Sequence, residues 1–65
     1  MSLKRLATVL KTLRGEMKQE ELAKNAKVSR GNLAALEAGY KKNPSLLVLK
    51  RLAKALGVPV TELLE

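Results

Sequence analysis

The chain has 65 residues, 13 of them basic and 6 acidic for a formal charge of +7, with no Cys and no His. That length builds one domain, residues 1–65, with neither a disulfide framework nor a zinc site, so helix packing or self-association must stabilise a small core. The longest apolar runs, such as Leu46 to Leu49, fall far short of the ~18 residues of a bilayer span, and Lys4, Arg5, Lys11 and Arg14 break up the N-terminus too often for a leader; a soluble, unprocessed, cytoplasmic protein is expected.

Helical spacing dominates the chain. Leu3, Leu6, Leu10 and Leu13 recur at three and four residues, which predicts a helix over about 3–14, capped by Ser2 and closed by Gly15. A shorter helix over about 18–25 follows. Gln19, Glu20 and Glu21 lie in its first turn, where carboxylates suit the dipole, and Leu22, Ala23 and Ala26 form its apolar side. Lys27 and Val28 make a tight connection to a third helix, about 30–37, capped by Ser29, with Leu33 and Leu36 inward and Gly39 just past its end. After a basic loop, Tyr40 to Asn43, the pair Asn43-Pro44 reads as a cap and first helical residue. A fourth helix then runs to Leu56, using Leu46, Leu49, Leu52, Ala53 and Leu56, and Gly57 closes it. A short helix over about 60–64 uses Leu63 and Leu64. There is no strand pattern, repeat or linker. The expected fold is all-α, a compact five-helix bundle.

Net charge this high on so short a chain points to a polyanion, either nucleic acid or an acidic membrane face. Tyr40 is the one aromatic side chain, whereas single-strand binding needs several stacking faces. Duplex DNA is the better candidate.

The informative stretch is Gln19 to Gly39, in which two short helices meet across a connection too short for antiparallel packing. They must cross steeply, with small Ala23 at the crossing and Leu22, Val28, Leu33 and Leu36 locking the pair. The start of the third helix is left projecting.

Here the sequence resembles the helix-turn-helix domain of the phage Cro and repressor proteins, including the bacterial regulator family named after the Xre repressor. The resemblance rests on five pieces in order: Leu3 to Leu6, Gln19 to Ala23, Val28 to Arg30, Leu36 to Gly39, and Asn43 to Leu46 followed by Leu52 to Val58. It implies a lambda-repressor-like bundle with the third helix in the major groove. Arg30, Gly31, Ala34 and Ala35 then face the bases. Arg30 is the reader, pairing with guanine or else meeting a phosphate. Gly31 either lets the backbone approach the bases or only loosens the helix start, and the two alanines offer methyls alone. Gln19, Ser29, Asn32, Tyr40, Lys41, Lys42 and Asn43 are implied phosphate or sugar contacts, with Lys4, Arg5 and Lys18 as weaker candidates. Two positions depart from the family's pattern. Lys27 stands where Gly is usual, and Lys18 where a Ser or Thr cap is usual.

The function expected is sequence-specific regulation of transcription, as a repressor, by a homodimer on a palindromic operator. Val58, Val60 and Leu64, with Leu47 or Val48, are the candidate dimer surface. Neither cofactor, metal nor small-molecule effector is called for. The rival from another class is a protein-interaction module, such as an antitoxin component, for which DNA binding is secondary. A membrane-surface protein fits the charge but not the cap at each helix end. Catalysis is excluded, since the chain lacks His, Cys, Asp and a glycine-rich phosphate cradle. The carboxylates Glu37, Glu62 and Glu65 read as surface groups or as partners in local helix pairs.

Overall fold

The computed structural model describes residues 3–40 and 44–64. Five helices follow one another: α1 Leu3–Arg14, α2 Gln19–Ala26, α3 Arg30–Glu37, α4 Leu46–Leu56 and α5 Thr61–Leu64. Each buries one stripe. Leu6, Leu10, Leu22, Leu33, Leu49, Leu52 and Leu63 are at most 1 % exposed and form one cluster. Around it α1 packs on α3 and α5, α2 on α3 and α4, and α4 on α5. The three residues Lys27 to Ser29 join α2 to α3, and buried Ala23 lies in the same core. No strand occurs among the described residues.

Three helix ends close in the same way. Val28 N–H reaches back to Ala23 C=O, Tyr40 N–H to Ala35 C=O and Val58 N–H to Ala53 C=O, each spanning a left-handed residue. At α3 and α4 that residue is glycine, Gly39 and Gly57. At α2 it is Lys27, with φ +59°. A left-handed conformation costs a residue with a Cβ about 1–2 kcal/mol, so the turn of the pair is held by its surroundings. Val28 packs on the core just after it, and Arg51 Nη1 makes a long 3.4 Å contact to Lys27 C=O.

Some expectations need correction. The fourth helix begins at Leu46 under Ser45, whose Oγ accepts from Leu47 N–H at 3.2 Å, and not at Pro44 under Asn43. Serine caps as well as asparagine, and it stands directly before the apolar run. Leu13, Leu46 and Leu64 fall on the apolar stripes of their helices, yet they are 36 %, 51 % and 37 % exposed, which for Leu64 agrees with its place on the candidate dimer surface. All three lie in the first or last turn of their helices, where the stripe runs past the edge of a small core. Ser2 and Glu65 lie outside the described residues.

Candidate nucleic-acid interface

The outward surface of the helix pair is assembled from two helix starts. Ser29 is the N-cap of α3: its backbone is extended and its Oγ accepts from Asn32 N–H at 3.0 Å. That cap fixes Arg30 as the first helical residue, and Arg30 is exposed, as is Gly31. A shallow groove runs from Arg30 to the start of α2 and is lined by Arg14, Lys18, Gln19 and Glu20. Three of the five lining side chains are cationic, against a single carboxylate.

The start of α2 supplies further donors. Lys18 is its N-cap but offers no side-chain acceptor. The N–H groups of Glu21 and Leu22 both donate to Lys18 C=O at 3.1 Å, while those of Gln19 and Glu20 have no backbone acceptor among the described residues. Free N–H groups at the positive end of a helix dipole favour an anion.

Beneath this groove lies the largest departure from the sequence reading. Glu37, expected at the surface, is 4 % exposed. Its carboxylate takes a fork from Arg14, with Nε to Oε2 at 2.8 Å and Nη2 to Oε1 at 2.7 Å, while Arg14 Nη1 donates to Met17 C=O at 2.6 Å. Gln19 Nε2 adds a third hydrogen bond, to Oε1 at 3.1 Å. The last residue of α1, the first of α2 and the last of α3 thus meet on one carboxylate. Arg14 is held above its ordinary pKa, chiefly because it donates to Glu37; partial burial pulls the other way, and attraction to the carboxylate adds to the rise. A raised cationic value stabilises the fold below the unfolded pKa and ceases to do so only as pH climbs through the folded one. The Arg14 cation, and with it the fork to Glu37, therefore persists across the whole neutral range. Sequence reasoning missed both partners. The available signal was position: Glu37 follows Leu33 by four residues, which puts it inside the apolar stripe.

The remaining candidate residues are placed as follows. Ala34 and Ala35 are half-buried. Asn32 is half-buried too, and its Oδ1 is buried with no hydrogen-bond partner, so the oxygen is turned away from the outer surface. Tyr40 is 83 % exposed, whereas Lys41, Lys42 and Asn43 lie outside the described residues. Lys4 lines a second groove, between α1 and the end of α3, together with Thr8, Lys11 and Gly39. Lys11, like Arg14, was not among the candidates. Of the proposed dimer residues, Val58, Val60 and Val48 are half-buried against the protein's own core, while Leu64 and Leu47 are exposed.

A family model described as helix-turn-helix matches residues 10–63 of the chain. No curated protein and no solved structure matches it.

Proposed function

Since the chain belongs to the Cro and repressor type of helix-turn-helix family, the Xre family, a family of DNA-binding regulators of transcription, we propose that it reads a specific duplex sequence through the first turn of α3 and represses transcription there. The observation that carries this reading is the exposure of Arg30 beside the unsatisfied N–H groups and amide at the start of α2. In the proposed complex α3 lies in the major groove and Arg30 pairs with a guanine edge, worth about 1–3 kcal/mol of discrimination. Gln19, the N–H groups beside it and Ser29 hold phosphates, as do Tyr40, Lys41, Lys42 and Asn43 in the following loop. Asn32 reaches sugar or phosphate through its Nδ2. Ala34 and Ala35 add only methyl contacts, so direct readout is sparse and DNA shape carries part of the specificity.

The Cα trace spans 25 × 22 × 21 Å, so a single copy presents one reading helix to about one turn of B-DNA, ~34 Å. One copy therefore covers one half-site, and a homodimer on a palindromic operator supplies the rest. Leu47 and Leu64, exposed apolar side chains, support self-association through α4 and the C-terminal segment, with Val58 and Val60 at its margin. The place of action is the cytoplasm, where the operator is.

Selection from a random duplex pool, followed by sedimentation of the chain on the selected duplex, tests the reading. Affinity should fall with salt by about 0.9 in log–log slope per phosphate held, and two copies should bind each site. Arg30→Ala should cut the preference for the selected sequence by roughly five- to 150-fold while leaving weak general binding in place. Unchanged preference in Arg30→Ala would remove Arg30 as the reader, and one copy per site would remove the dimer.

A further inference from the structure

A salt bridge with so little access to water is a weak source of stability. Its attraction is largely offset by desolvation, and replacing both partners with apolar side chains is often neutral or stabilising. The Arg14–Glu37 pair, with side chains 19 % and 3 % exposed, falls in that class. Its geometry indicates another use. Glu37 Oε1 accepts from Arg14 Nη2 and also from Gln19 Nε2. An unrestrained glutamine side chain samples many rotamers, and ordering it on a ligand costs free energy at the moment of binding. Here one amide hydrogen of Gln19 is already committed to Glu37. This restrains the amide and leaves its second hydrogen available, on the same helix turn as the N–H groups of Gln19 and Glu20 that lack a backbone acceptor.

The charge balance matters as much. A bare carboxylate at hydrogen-bonding distance from the Gln19 amide would repel a phosphate arriving there. Arg14, bound through two nitrogens, cancels that charge, so that Lys18 and Arg30, the other cations of the groove, are left to attract the phosphate.

Resting on the DNA-binding reading above, we propose that the Arg14–Glu37 pair is a positioning device for DNA binding: Glu37 holds the Gln19 amide in the orientation that receives a backbone phosphate, and Arg14 neutralises the carboxylate so that it can do so. Glu37 itself touches no DNA. The pair makes the phosphate site rigid before the duplex arrives.

A double-mutant cycle tests this on the intact chain. The parent, Arg14→Met with Glu37→Leu, Gln19→Ala, and the triple variant are compared for thermal melting by circular dichroism. Their affinity for the selected duplex is measured by fluorescence anisotropy, at a temperature where each is folded. The paired apolar variant should melt at or near the parent's temperature yet bind roughly three- to tenfold more weakly, the worth of one well-placed hydrogen bond. In the Gln19→Ala background the same replacement should change affinity by less than about twofold. Arg14→Gln alone, which strands the carboxylate, should bind more weakly than the paired variant. Equal affinity of parent and paired variant, or a loss that persists without Gln19, overturns the proposal. Should the paired variant lose its cooperative melt, the cycle is run with Glu37→Gln against Gln19→Ala: coupling supports the positioning role and additivity overturns it. A parent that ignores duplex DNA refutes the DNA-binding reading itself, which these other outcomes leave standing.

Discussion

At the scale of single residues, Gly31 and Lys27 are placed the wrong way round for the fold alone. Lys27 occupies a left-handed position that glycine would take without strain, whereas Gly31 sits in α3 without a positive φ. A Cβ built on Gly31 would meet nothing within 4 Å. Alanine is better than glycine inside a helix by about 0.5–1 kcal/mol, so packing gives no reason for glycine there. Gly31→Ala should raise the melting temperature by about 2–8 °C, given the usual sensitivity of a domain this small. If the backbone of α3 comes close to the bases, the same change should weaken binding to the preferred duplex severalfold. A variant that is more stable and binds as well as the parent would leave Gly31 with no part in recognition. The two residues also differ in legibility. Lys27 was visible as a departure at the turn, because the resemblance puts Gly at that position. For Glu37 the stripe position hints at burial, but its partner Arg14 lies 23 residues earlier on another helix, so the pairing was not legible.

At the scale of elements, the spacing of leucines at three and four residues located α1, α3 and α4, whereas α2 was read from its acidic first turn with Leu22, Ala23 and Ala26, and α5 from Leu63 and Leu64. Their ends were less legible, because capping is a competition between neighbouring side chains. Asn43 and Ser45 both have capping chemistry, and Ser45 is the residue that accepts from the first turn of α4. Helix α2 starts without a side-chain cap, since Lys18 has the extended backbone of a cap and no side-chain acceptor. Lys18→Ser supplies the missing oxygen and should stabilise the fold by about 1 kcal/mol, measured by denaturant titration. An unchanged midpoint would mean that the start of α2 is already satisfied by other means. The interface residues were legible only as far as the helices that carry them. Resemblance located Ser29, Arg30 and Gln19, but the bond between Gln19 and Glu37 joins two helices and leaves no mark in the sequence of either.

At the scale of the whole molecule, a formal charge of +7 is spread over a body of 10.1 Å radius of gyration. No helix among the described residues is long and apolar enough to cross a membrane. The arrangement of ion pairs is uneven: Arg14 and Glu37 are joined at the buried junction of three helices, while Lys18 and Arg30 stand exposed around it. That junction has a mechanical consequence. Because the ends of α1, α2 and α3 meet on one carboxylate beside an apolar core that all three share, the reading helix cannot loosen without disturbing the other two. Amide hydrogens in those helices should exchange with deuterium through one shared opening event, while four-residue α5 frays ahead of them. Separate opening energies for α1 and α3 would show that the junction does not bind them into one unit.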